Sequence, residues 1–315
     1  MRTTVCANPR KSRLRPSLDA IRPIELAEIQ AARRRIAPTI LRTPLVRLEL
    51  GPDYPEIRLK LENLQPINAY KLRGAVNAVA MLSESERQRG VWTISAGNAG
   101  QGVAYAARQA GVRCTVVAIE TAPSSKLERM KALGARLVLV PYSVAWKALE
   151  ERTFRGVEGT FVHPFDDHNF IAGHATMGLE ILEDAPKPGV RIWGAEPETA
   201  APLARSLAAG SPQEFPEWQA SFVDGAGGHS VFPRMWERMR PLVEGCIVVT
   251  LEQTKRAMRL IAERARVISE GAGALPLAAA LTGEAGRGPI VVVVSGGNVD
   301  MKTFCEIVDC PASRP

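Results

Sequence analysis

Apolar positions along this chain follow two rhythms, one of period two and one near 3.6. Short apolar runs at 57–61, 91–94, 114–119, 136–140 and 160–162 read as strands. Helix-like stretches at 69–82, 101–110, 124–133 and 144–152 lie between them. Three successive strand–helix units at this spacing predict a parallel sheet covered by helices, with right-handed crossovers. A longer helix over 173–182 and a strand at 190–195 follow. A strand at 247–250, a helix at 251–267 and a fully apolar strand at 290–294 complete the pattern. No solenoid-type repeat is present. The compact units between 85 and 163 are flanked by longer helices. That contrast predicts a small domain (85–163) inserted into a larger one (24–84 and 164–315), with ligands in the cleft between them.

The chain has 315 residues, 46% apolar and 23% charged, which excludes a largely disordered protein. No apolar run approaches the roughly 18 residues of a membrane span. The net charge of +7 sits mainly in residues 1–23, where Arg2, Arg10, Lys11, Arg13, Arg15 and Arg22 face only Asp19. A disordered basic tail is expected there, and the folded body carries no basic signature of nucleic-acid binding. Cys6, Cys114, Cys246, Cys305 and Cys310 are odd in number and form no CxxC pair, which points to a reducing, cytoplasmic setting.

Lysine is scarce, nine against thirty-one arginines, so Lys71 stands out in Gln65-Pro-Ile-Asn-Ala-Tyr-Lys-Leu-Arg-Gly74. With Asn68 as N-cap, Lys71 would be the third helical residue. The helix dipole and apolar neighbours would there favour the neutral amine that condenses with a carbonyl. The competing reading is a solvated helix lysine. Two tetrapeptides, Ser95-Ala-Gly-Asn98 and Ser295-Gly-Gly-Asn298, each follow a strand, where open parallel sheets bind their ligands. The first also opens a helix, whose backbone N–H groups can receive a carboxylate.

In these three motifs, and over residues 24–308, the chain resembles the fold-type-II pyridoxal-phosphate (PLP) enzymes. The threonine/serine dehydratase and serine racemase family is the branch it most resembles. The resemblance implies an α/β, tryptophan-synthase-β-like fold of parallel sheets covered by helices, with pyridoxal 5'-phosphate as cofactor. It implies that Lys71 holds the cofactor and moves the Cα proton, while the Tyr70 ring packs beside it. Ser95, Gly97 and Asn98 would receive the substrate carboxylate, and Asn98 would also reach the ring hydroxyl. Ser295 would meet the pyridine nitrogen. The implied activity is that of an ammonia-lyase, turning threonine, serine or a bulkier 3-hydroxy amino acid into a 2-oxo acid and ammonia. The implied partners are a small amino-acid substrate and a second copy in a homodimer, with neither nucleic acid nor membrane.

The chain departs from the family pattern in four places. The family's glycine-rich phosphate loop has no counterpart, because 181–189 runs straight into the strand at 190–197; Asp224-Gly-Ala-Gly-Gly228 matches a different family segment. Ala96 stands where racemases carry a second catalytic serine, so elimination is expected over racemisation. Ala99 replaces a common His, and His174 a common Gln. Glu196 and Ala200 resemble a divalent-cation site, but Pro202 takes the place of its acidic ligand. His163, His168 and His174, near Asp166 and Asp167, match no zinc spacing, so no metal is expected. Glu270 is either a residue near the cofactor ring or part of a helix C-terminal turn closed by Gly271. Arg73 reads as a structural ion-pair residue. The alternatives to a lyase are a cofactor-poor relative with a structural or regulatory role and a β-replacement enzyme.

Overall fold

The computed structural model describes residues 20–309, so most of the basic tail expected over 1–23 lies outside the described residues. The chain enters through α1 (Leu26–Ile36), then the antiparallel strands β1 (Leu45–Leu48) and β2 (Ile57–Lys60). Two helices follow, α2 (Lys71–Ala80) and the short α3 (Glu84–Arg89), the latter opened by a Ser83–Glu86 capping box. Next come β3 (Val91–Ile94), α4 (Asn98–Gln109), β4 (Cys114–Ile119), α5 (Ser124–Ala132), β5 (Arg136–Val140), α6 (Tyr142–Glu151) and β6 (Thr160–Phe161). Their strands form one parallel sheet in the order β5-β4-β3-β6. All four β3 residues are buried, as a central parallel strand covered on both faces requires.

The remainder begins with α7 (His168–Asp184), β7 (Ile192–Pro197), α8 (Pro202–Ala209) and α9 (Pro233–Met239). It ends with β8 (Val243–Val249), α10 (Leu251–Leu260), α11 (Gly271–Thr282), β9 (Ile290–Val293) and α12 (Met301–Asp309). β9 runs parallel to β2 in a sheet of order β1-β2-β9, while β7 and β8 form a separate parallel pair. One apolar core nevertheless joins both sheets, with Leu59, Ile247, Val249 and Val292 buried around α11.

Several boundaries differ from the sequence expectation. Helix α2 has Tyr70 as its N-cap, and Asn68 adopts a left-handed φ of 56° in the turn before it. Lys71 is therefore the first helical residue and not the third. Helix α7 begins at His168, ahead of the expected 173, because the Asp167 carboxylate caps it by accepting from Phe170 N–H at 2.8 Å. The helix expected over 251–267 is α10 plus a π-helical turn, Ile261–Ala265, closed by left-handed Arg266. Close helix approach depends on glycine at one point in particular. A Cβ on Gly173 of α7 would lie 2.4 Å from the Arg73 carbonyl oxygen of α2.

Candidate active site

The helix bearing Lys71 is anchored from beneath by four buried charges. The Arg73 guanidinium, 1% exposed, donates to Glu62 at 2.8 and 2.8 Å and to Glu180 at 2.8 and 2.8 Å. Lys60 Nζ donates to Glu180 and to the Thr43 carbonyl, both at 2.6 Å, and Thr43 Oγ1 donates to Glu62 at 2.6 Å. Two cations and two carboxylates thus balance, each with further hydrogen bonds, as burial of charge demands. This cluster ties β2, α2 and α7 together, and it gives Arg73 the structural role expected of it.

Above it, Lys71 Nζ donates to the Pro164 carbonyl at 2.9 Å. The amine lies 5.0, 5.1 and 5.5 Å from the ring centroids of Phe165, Tyr70 and Phe170. The His163 side chain shapes this wall, because its Nδ1 accepts from the backbone N–H of Phe165 at 3.1 Å and of Asp166 at 3.0 Å. Burial, helped by the Arg152 charge, pushes the His163 imidazole down to about 3, so it stays neutral. Sequence reasoning did not find the aromatic wall, since Phe165 and Phe170 are distant from Lys71 along the chain.

The three motifs converge through the backbone. Tyr70 N–H donates to the Ser295 carbonyl at 3.0 Å, and Gly297 N–H to the Asn68 carbonyl at 2.9 Å. The end of β9 is thereby stitched to the turn preceding Lys71. Ser95 follows β3, and its Oγ accepts from Gly97 N–H at 3.1 Å. Gly97 is the N-cap of α4 and provides no side-chain cap, so the first-turn amides face the site without one. The Asn98 amide donates to Glu270 Oε1 at 2.7 Å and accepts from Asn298 Nδ2 at 2.8 Å. Asn298 N–H donates to Glu270 Oε2 at 3.1 Å. Asn298 was visible as the last letter of the second tetrapeptide, but its partnership with Asn98 was not. A cavity of about 530 Å³ opens beside this knot, lined in part by Asn68, Lys126, Arg129 and Asn298.

Glu270 is the N-cap of α11 and not the end of a helix, which corrects the turn reading. Burial pushes its carboxyl up to about 7, against the Lys126 charge and the two amide hydrogen bonds. The histidines separate: His168 pairs with Glu28 at 3.0 Å, while His174 Nδ1 accepts from Gly74 N–H at 3.1 Å. Asp166 is engaged by Arg152, Arg234 and Arg238. Glu196 accepts from the N–H groups of Leu203 and Ala204, both at 2.9 Å, so its carboxylate is committed to the start of α8.

The residues can be tested against the cofactor that the resemblance implies. At the ring end they fit: the helix start that carries an amine among aromatic rings is tied to a glycine turn whose Asn298 fixes the Asn98 amide. A Cβ on Gly296 would sit 2.4 Å from Glu270 Oε1 and 3.1 Å from Asn98 Nδ2, so only glycine keeps that surface open. At the phosphate end the fit fails. Residues 185–191, linking α7 to β7, carry one glycine and open no helix that could aim several N–H groups at an anion. The loop at 225–230 packs at Gly225 against Glu270, itself part of the site, but its Gly227 carbonyl accepts from Trp218 Nε1 at 3.2 Å and it opens no helix toward an anion.

The description "Pyridoxal-phosphate dependent enzyme" belongs to the family profile that matches residues 36–190 and 185–296. The chain is 33% identical to the L-threonine ammonia-lyase of Thermotoga maritima over 319 residues, covering 91% of this chain and 78% of that one. It is 32% identical to a catabolic L-threonine dehydratase of Staphylococcus aureus, covering 91% and 92%. The structure of maize serine racemase superposes with a TM-score of 0.79 at 30% identity, covering 90% of this chain and 96% of that one. The profile match spans most of the folded chain, and the relatives exceed 30% identity over nine-tenths of it. This chain belongs to the family of pyridoxal-phosphate dependent enzymes.

Proposed function

We propose that the chain is a PLP-dependent ammonia-lyase acting on a small β-hydroxy amino acid. The observation that supports this is an amine among three aromatic rings at a helix start that backbone hydrogen bonds tie to the Ser295–Asn298 turn, with Asn298 in turn fixing the Asn98 amide. The relatives named for L-threonine agree with it. When bound, the cofactor supplies an electron sink for the Cα–H bond. Lys71 would hold it, and its Nζ would take the Cα proton once the substrate amine has replaced it. Ser95, Gly97 and the first-turn amides of α4 receive the substrate carboxylate. Asn98 is held in one orientation by Glu270 and Asn298, so it meets its ligand without rearranging. Tyr70 would pack beside the cofactor ring, and Ser295 would offer its nitrogen a neutral hydroxyl. The β-hydroxyl would leave as water by taking up the proton that Lys71 received from Cα, and the enamine left behind would add one water and release ammonia, giving a 2-oxo acid.

Ala96 provides no proton donor on the opposite face, so elimination should far exceed racemisation. L-Serine supplied with PLP should yield pyruvate in large excess over D-serine, and Ala96→Ser should raise the D-serine share. Comparable yields from the unaltered chain would refute the assignment of Ala96. The same reading includes a homodimer, which analytical sedimentation checks, and a reducing cytoplasm. In keeping with the latter, Cys114, Cys246 and Cys305 are free thiols, and burial pushes the Cys114 thiol up to about 12. No helix among the described residues is long and apolar enough to cross a membrane.

A second reading, a cofactor-poor relative with a structural or regulatory role, is favoured by the plain linker at 185–191. An absorbance spectrum separates the two. A visible-violet band after PLP addition supports the lyase, and no band supports the alternative.

A further inference from the structure

We propose that the groove between α6 and the paired segments around Glu214 and Ser230 binds a small organic cation, an amine or a quaternary ammonium compound. The groove shares no lining residue with the cavity beside Asn98 and Asn298. Neither the site nor its test depends on the lyase reading.

Aromatic residues make up only 5% of the chain, yet they gather along one face of α6. Tyr142 and Trp146 stand one helical turn apart, and their rings lie 16° from parallel with centroids 5.8 Å apart. His229 meets them from across the groove, 4.9 Å from Tyr142 and 6.3 Å from Trp146. Behind these three, Trp218 stacks on His229 at 4.1 Å and Phe232 on Trp146 at 5.1 Å. Tyr142 is 40% exposed, and Trp146 and His229 are half-buried, so the rings remain within reach of a ligand.

The far side of the groove is held by the backbone. Glu214 and Ser230 form an isolated antiparallel bridge. Beside it, Phe215 N–H donates to the His229 carbonyl at 2.7 Å and Val231 N–H to the Gln213 carbonyl at 3.3 Å. The polar edges of the indoles are also satisfied. Trp146 Nε1 donates to Glu150 at 2.9 Å, and Trp218 Nε1 to the Gly227 carbonyl at 3.2 Å. The rings are thus set before a ligand arrives, which lowers the cost of binding.

Charge selects the occupant. The cavity measures about 320 Å³, which suits a small molecule, and Glu150, Glu214 and Lys147 complete its lining. Neither carboxylate forms an ion pair among the described residues, so two negative charges face one positive charge. Burial outweighs the Glu214 charge and lowers the His229 imidazole from its ordinary value, so that ring adds no positive charge at neutral pH. An anion would meet both the carboxylates and the negative faces of the rings. A neutral aryl group would leave the carboxylates without a partner. A cation over a ring face answers both. A metal ion does not fit, because no group of three His, Cys, Asp or Glu able to hold one occurs among the described residues.

The test uses the full chain, choline as the cation, and the uncharged isostere in which carbon replaces the quaternary nitrogen. In NMR spectra choline should shift the indole N–H signals of Trp146 and Trp218 saturably, while those of Trp92, Trp193 and Trp236 stay in place. The isostere should bind at least about fivefold more weakly. Glu214→Gln and Tyr142→Leu should each weaken choline by about threefold or more, the size of one exposed cation–π contact. Both residues are exposed, so neither change disturbs the core, and the Trp92, Trp193 and Trp236 signals report that each variant stays folded. No saturable shift, a shift of all five indoles alike, equal binding of the isostere, or unchanged affinity in both variants would overturn the assignment.

Discussion

Lys60 and Lys126 are buried and Lys71 is half-buried, and what their amines touch separates them further. Lys60 is locked between Glu180 and a carbonyl, and Lys126 pairs with Asp224. Lys71 meets aromatic rings and one carbonyl oxygen and forms no ion pair among the described residues. Borohydride reduction with PLP, followed by peptide mapping, should place the label on Lys71; label on Lys60 or Lys126 instead would overturn the assignment. Glu270 carries a second prediction at this scale. Its carboxyl is raised from 4.5 to about 7 by burial, so between these values the folded chain holds a proton that the unfolded chain has lost. The stability it contributes is fullest below the lower value and is withdrawn as pH rises to the upper one, by up to about 3 kcal/mol. Denaturant midpoints from pH 5 to 8 should fall more steeply for the unaltered chain than for Glu270→Gln. Parallel curves would show that Glu270 is ionised throughout.

Among the elements, α2 depends on a cluster that no local pattern reveals. Arg73→Ala would leave Glu62 and Glu180 buried with too few partners, at a cost of about 3–5 kcal/mol. Urea unfolding should show that loss, and a change under about 1 kcal/mol would mean that water or Lys60 takes over the carboxylates. The strands β3, β4 and β5 were legible at their true ends, because an apolar run between turn residues is a local property. Helix α11 was not read at all. It is apolar all round and contains Pro276, so neither periodicity nor composition marks it as a helix. The site divides in the same way. Lys71, Ser95, Asn98 and Ser295 stood in readable tetrapeptides at strand ends and a helix start. Asn298 as partner of Asn98, Glu62 and Glu180 beneath Arg73, and the Phe165 wall depend on contacts that only the fold creates.

At the scale of the whole molecule, one end of the site is assembled and the other is plain linker. The small sheet, α2 and the β9 turn bring Lys71, Asn98 and Ser295 together without help from residues 185–191. A phosphate dianion held by backbone N–H groups makes charge-assisted bonds worth about 1.5–3 kcal/mol each. Losing only two of them would weaken cofactor binding by about a hundredfold to ten-thousandfold, at about 1.4 kcal/mol per decade. A covalent link at Lys71 would offset part of this loss but would not orient the ring. The chain should therefore bind PLP weakly and lose it on dialysis, while the Thermotoga L-threonine ammonia-lyase, treated alongside, should retain it. Equal retention would mean that a loop in this chain has taken over the phosphate. The 225–230 turn would then be the first to test, since freeing it requires Glu270 and Ala272 to release Gly225. Gly225→Ala, with its new Cβ 2.9 Å from the Ala272 Cβ, should abolish retention in that case and leave it unchanged otherwise.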